Sequence, residues 1–140
     1  SRNLMRISID NPGIIDFQDA VIGPVTYDAV SLLRDCYINW SDAQVESSLK
    51  PYYQNLIQAQ LITCDYPQFK RDFDLMGIQR HLKAIGIFSR LNIRDGKNGY
   101  LKDIPRTLNY VITISANYPE LQDFHHFLVN KVLPASQRAL

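Results

Sequence analysis

The chain has 140 residues, 46% of them hydrophobic and 21% charged, which is one domain's worth of material and enough for a real core. Fifteen basic and 14 acidic residues leave a formal net charge of +1, so no field of one sign is available to hold nucleic acid or a membrane surface by charge. No apolar run approaches the roughly 18 residues of a membrane-spanning helix, and the opening SRNLMRISID has no apolar stretch of signal-peptide length. The two cysteines, Cys36 and Cys64, lack metal-ligand spacing and read as reduced, buried thiols of a cytoplasmic protein. The first residue is Ser1, and the chain opens inside a strand-forming unit, which points to a piece of something longer.

Leu4 to Ile9 alternate and are rich in apolar residues. Asp10-Asn11-Pro12-Gly13 is a strong turn signal, and Gly13 to Phe17 resume the apolar run. A short β-hairpin ending at Asp16 is therefore expected. After the Gly23-Pro24 loop the chain reads helical nearly to its end. The first helix is predicted over about Tyr27 to Ile38, with Thr26 as cap and Ala29, Val30, Leu33, Cys36 and Tyr37 inward. The second starts after Ser41, which forms a capping-box pattern with Gln44. Val45, Leu49, Tyr52, Tyr53, Leu56 and Ile57 supply its apolar face, and Pro51 predicts a kink or break. The third begins at Asp65 and Pro67 and runs to about Leu91, with Phe69, Phe73, Met76, Leu82, Ile85 and Phe88 inward. A polar turn, Arg94 to Gly99, precedes a fourth helix after Asp103, and a fifth runs from about Pro119 to Leu133. The expected fold is mainly α: one hairpin followed by about five helices.

Two polar residues flank the hairpin. Asn3 precedes the first strand and Asp16 ends the second. A hairpin brings its open ends together, so a carboxylate and an amide oxygen converge there. Hard oxygen donors of this kind hold Mg²⁺, which keeps waters or phosphate oxygens in its remaining positions. The competing reading is plain turn and cap chemistry, since Asn and Asp are common at both places. Elsewhere, Gln79, Arg80, His81 and Lys83 form a polar cluster on the third helix. They read either as hydrogen-bonding groups for a ligand or as a solvated face. Arg34 and Asp35 read as surface or loop ion-pair residues, and the adjacent His125 and His126 as surface and packing residues. Trp40 reads as core or cap packing.

The stretch SRNLMRISIDNPGIIDFQDAVIGPVTYDAVSLLRD resembles the aminoglycoside phosphotransferase and choline kinase superfamily. In that family a loop H-x-D-x-x-x-x-N precedes a strand pair ending in I-D-[FW]-x-D/E, followed by a helix that opens with an Asp. The resemblance implies the C-terminal lobe of a protein-kinase-like fold. It implies Asn3 and Asp16 as metal ligands, Asp28 as the helix-opening aspartate, and Asp19 in support of the loop or near the metal. It implies ATP and Mg²⁺ as cofactors and a small-molecule hydroxyl as acceptor, with no nucleic-acid or membrane partner. Gln79, Arg80 and His81 become candidates for acceptor binding. The stretch FDLMGIQRHLKAIGIFSRLNIRDGK is similar to a narrower group, kinases acting on the anomeric hydroxyl of N-acetylmuramate and N-acetylglucosamine in cell-wall recycling. Choline, homoserine or an aminoglycoside as acceptor, or a non-catalytic helical binding module, are the alternatives. The family's catalytic base lies five positions before the loop Asn, upstream of Ser1, and the nucleotide-binding lobe lies further upstream. Residues 1–140 alone are therefore expected to be inactive.

Overall fold

The computed structural model describes residues 3–7, 12–15 and 21–139. Two short strands, β1 (Leu4–Met5) and β2 (Gly13–Ile14), pair antiparallel with Leu4 opposite Ile14 and Met5 opposite Gly13. Helices follow: α1 (Thr26–Leu33), α2 (Asp42–Gln58), α3 (Tyr66–Asp95), a 3-10 segment (Asn98–Asp103) and α4 (Ile104–Ser115). A 3-10 turn at Pro119–Leu121 then leads into α5 (Gln122–Phe127), which continues through a π-helical stretch (Leu128–Val132) into α6 (Leu133–Ala139). The architecture is mainly α behind a single hairpin, as the sequence predicts.

Helix ends follow local chemistry. Ser41 and Gln44 form the complete capping box, and Asp65 accepts from the Gln68 N–H ahead of Pro67. Thr26 is not the cap of α1. It is buried at the first helical position, and Val25 holds the cap place without a side-chain hydrogen bond. The helix also stops at Leu33, short of Ile38, because the Asp35 carboxylate takes the Tyr37 N–H at 2.8 Å and draws the backbone out of the helical ladder. Of the kink or break expected at Pro51, the break does not occur, and α2 runs on through it. Pro51 lies on the exposed side of α2, and so does Ser47, whose carbonyl the missing N–H leaves to water. α3 runs past Leu91 to Asp95, where Gly96 at φ 64° accepts the left-handed geometry that ends it. The last helix passes Leu133 as well, and Pro134, which cannot donate back to Asn130, accounts for the widened turn before it.

Two apolar clusters form the core. The first joins α1, α2 and the first half of α3 through Val30, Val45, Leu49, Leu56, Phe69 and Phe73. The second joins the middle of α3 to α4 and the C-terminal helix through Ile78, Leu108, Val111, Ile114 and Leu128. Ile57 and Leu82, expected inward, are exposed, each lying one position off the stripe its helix buries. Phe73 is fully buried, and Phe73→Ala is expected to lower unfolding free energy by about 3–5 kcal/mol. Ser41→Ala is expected to cost only about 1 kcal/mol, the loss of one cap. Denaturant titration of the protein carrying this chain measures both.

Candidate functional site

The open end of the hairpin is held by one backbone hydrogen bond. The Ile15 N–H donates to the Asn3 carbonyl at 3.0 Å, which puts Ile15 alongside Asn3. Asn3 is exposed there. Asp16 and Asp19 lie outside the described residues. Among the described residues no group of three or more His, Cys, Asp or Glu side chains is placed to hold a metal ion.

The polar cluster on α3 does not converge. Gln79 is exposed and lines a largely apolar cavity of about 490 Å³ with Pro24, Val25, Ile62 and Met76. Arg80 lays its guanidinium over the Tyr27 ring, 4.0 Å from the centroid. Lys83 is exposed. His81 is only 3% exposed and makes a structural contact: Nε2 lies 2.8 Å from the Arg34 carbonyl oxygen. A carbonyl only accepts, so Nε2 carries the proton. The imidazole also stacks on Tyr110, with ring centroids 4.9 Å apart and 16° between planes.

This contact belongs to a set that pins the segment between α1 and α2. Arg34 is buried rather than at the surface, and its Nη2 donates to Asp42 at 2.9 Å. Asp35 is buried as well. Arg106 of α4 donates to the Tyr37 carbonyl at 2.9 Å, and the Tyr110 hydroxyl donates to Asn39 Oδ1 at 2.8 Å. Residues 34–42 are thus tied to α3 and α4 by hydrogen bonds that span about half the chain. They wall a second cavity, of about 470 Å³, which Trp40 also lines. Trp40 is 38% exposed and not a core residue. The sequence reading missed this cavity, although Asn109, Thr113 and Asn117 at four-residue spacing mark one polar edge of α4.

The remaining candidates are quieter. Asp28 sits in the first turn of α1, where a negative charge complements the helix dipole. Burial, and secondarily the Asp28 charge, raises the pKa of Tyr52, whose hydroxyl donates to the Val25 carbonyl at 2.8 Å. Cys36 and Cys64 are free and half-buried, and burial pushes the Cys36 thiol up, away from a reactive thiolate. His125 is half-buried with Nδ1 near the Ser115 hydroxyl and the Ile112 carbonyl, and His126 is exposed. No helix among the described residues is long and apolar enough to cross a membrane.

Burial holds His81 below its ordinary pKa of 6.5, against the opposing effect of its bond to Arg34. The unfolded state therefore takes up the proton first. Stability is full above about pH 6.5 and falls as the pH drops through that value toward the lower folded pKa. His81→Phe is expected to remove part of this acid sensitivity. It also strands the Arg34 carbonyl, with a loss of about 1–3 kcal/mol near pH 8. Unfolding curves between pH 5 and pH 8, a range chosen to bracket roughly the free imidazole pKa, check both effects.

Residues 1–60 match the phosphotransferase enzyme family. The N-acetylmuramate/N-acetylglucosamine kinase of Pseudomonas putida is 45% identical over 139 residues, which are 99% of this chain and 40% of that protein. The kinase of the same name from Neisseria meningitidis serogroup B is 46% identical over 132 residues, 94% of this chain and 39% of that protein. The Pseudomonas aeruginosa kinase is 45% identical over 130 residues, 92% of this chain and 38% of that protein. The chain spans about 40% of the length of these relatives. No solved structure matches it. The chain is thus similar to N-acetylmuramate/N-acetylglucosamine kinases over nearly all of its length, and its first 60 residues match the phosphotransferase enzyme family.

Proposed function

We propose that the protein carrying this chain is an ATP-dependent kinase that phosphorylates a hydroxyl of an N-acetylated amino sugar, N-acetylmuramate or N-acetylglucosamine. The observation that carries this reading is 45% identity, across 99% of the chain, to kinases named for those two sugars. The chain is read as part of the C-terminal lobe of that enzyme, a soluble cytoplasmic protein serving cell-wall recycling. The basic side chains at 79–83 diverge, so the choice of acceptor rests on the sequence identity and not on them.

Within this reading Asn3 and Asp16 hold Mg²⁺. The donor set suits it, because an amide oxygen and a carboxylate are hard oxygen ligands. The hairpin is in keeping with it, since the Ile15–Asn3 hydrogen bond brings the residue just before Asp16 in sequence alongside Asn3. A bound Mg²⁺ neutralises charge on the nucleotide phosphates. Asp19 supports the segment after Asp16. The acceptor hydroxyl is oriented by a base outside residues 1–140, in keeping with a chain that spans about 40% of its relatives. ATP and the sugar are the partners.

Asp16→Asn in the whole protein is expected to cut kcat by about a hundredfold or more, with thermal stability little changed. Asn3→Ala is expected to raise the Mg²⁺ concentration needed for half-maximal rate by about tenfold. Coupled ADP-release assays with N-acetylglucosamine across a Mg²⁺ series measure both. Turnover of Asp16→Asn within about threefold of wild type would overturn the metal assignment.

A further inference from the structure

A few residues before α1 the chain carries two aliphatic side chains that pack on nothing. Val21 is 88% exposed and Ile22 fully exposed. A single exposed apolar residue is ordinary, but two β-branched neighbours left in water forgo a favourable burial. A place for them lies close by. The largely apolar cavity of about 490 Å³ has Pro24 and Val25 in its wall, together with Ile62, Cys64, Leu75 and Met76. Consecutive Cα atoms are about 3.8 Å apart, so the Ile22 Cα lies within about 7.6 Å of the Cα of Pro24.

The wall is fixed, and a hinge precedes it. The Tyr52 hydroxyl donates to the Val25 carbonyl at 2.8 Å, and the Tyr27 N–H donates to the Pro24 carbonyl at 3.0 Å. Gly23 stands between this anchored stretch and Ile22, and a Cβ there would meet nothing within 4 Å. The residue before a proline is normally confined to extended backbone by a clash that involves its Cβ. Glycine has none, so Gly23 can turn where another residue could not.

Ile22 follows Asp16 by six residues. On the kinase reading Asp16 holds Mg²⁺, so loading that site ties down one end of the intervening stretch while Tyr52 holds the other. A stretch tied at both ends has less freedom left to lose, and ordering its aliphatic side chains costs less. We propose that Val21 and Ile22 form a strap that folds at Gly23 into this cavity, onto Ile62, Leu75 and Met76, when Mg²⁺ and nucleotide occupy the hairpin site. The structure shows the open form, with Cys64 half-buried in the cavity wall. The closed strap covers that thiol. The inference rests on the kinase reading given above and adds a conformational response of this chain to a loaded phosphate site.

The test uses the whole protein and reads the rate at which iodoacetamide alkylates Cys64, followed by peptide mass spectrometry. Cys36 does not line this cavity and serves as the reference thiol. Mg²⁺ with a non-hydrolysable ATP analogue is expected to slow Cys64 alkylation in wild type by about fivefold or more. Ile22→Ser and Val21→Ser are expected to lose most of that protection, and Ile22→Leu to keep it. Both positions are exposed, so the serine variants leave the core packing untouched. If the analogue binds by calorimetry but leaves Cys64 alkylation unchanged, the strap is overturned and the kinase reading stands. Equal protection in wild type and both serine variants also overturns it, because something other than the strap then covers the thiol. If no nucleotide binds in the presence of Mg²⁺, the kinase reading fails, and the strap with it.

Discussion

The rest of the structure depends on α3 being a wall shared by two cores. At 30 residues it is about 45 Å long, and no single apolar cluster covers it. Its first half gives Phe69 and Phe73 to the cluster with α1 and α2. Its middle gives Ile78 to the cluster with α4 and the C-terminal helix. Any group that must be held between the two halves is therefore anchored on α3, near the changeover. His81 stands there, three residues past Ile78, and its one-sided hydrogen bond to the Arg34 carbonyl fixes where the chain goes after α1.

The consequence is a polar cavity built largely by tethering. Residues 34–41 have no regular structure to position them, and backbone hydrogen bonds of their own would not do it. Instead His81 and Arg106 bond to carbonyls of the segment, and Tyr110 bonds to the Asn39 side chain. These are long-range contacts, and each satisfies a polar group that would otherwise be buried or left loose. These contacts hold the segment against α3 and α4.

Local signals made much of the architecture legible. Ser41-x-x-Gln44, Asp65 with Pro67, and the apolar spacing of Val45, Leu49 and Leu56 each state a helix and its start without reference to anything distant. The limits of the same elements were read less well. Leu33 ends α1 because a side chain two residues on captures a backbone N–H, and Gly96 ends α3 through its φ, so composition alone misplaced both ends.

By itself the sequence determined the helical class, the hairpin and the kinship with amino-sugar kinases, because capping, periodicity and motif identity are properties of neighbours along the chain. The closeness of Asn3 to Ile15 at the hairpin's open end was legible for the same reason, since that end is set by its turn. Only the tertiary structure decided what the polar residues of the helices do. Gln79, Arg80 and His81 are adjacent in sequence, yet one lines a cavity, one covers a tyrosine and one is buried against Arg34. Successive residues on a helix are turned by about 100°, so adjacency there separates side chains. Arg34, Trp40 and Asn109 are distant in sequence and meet on one cavity, because α3 and α4 pack against the segment that carries the first two.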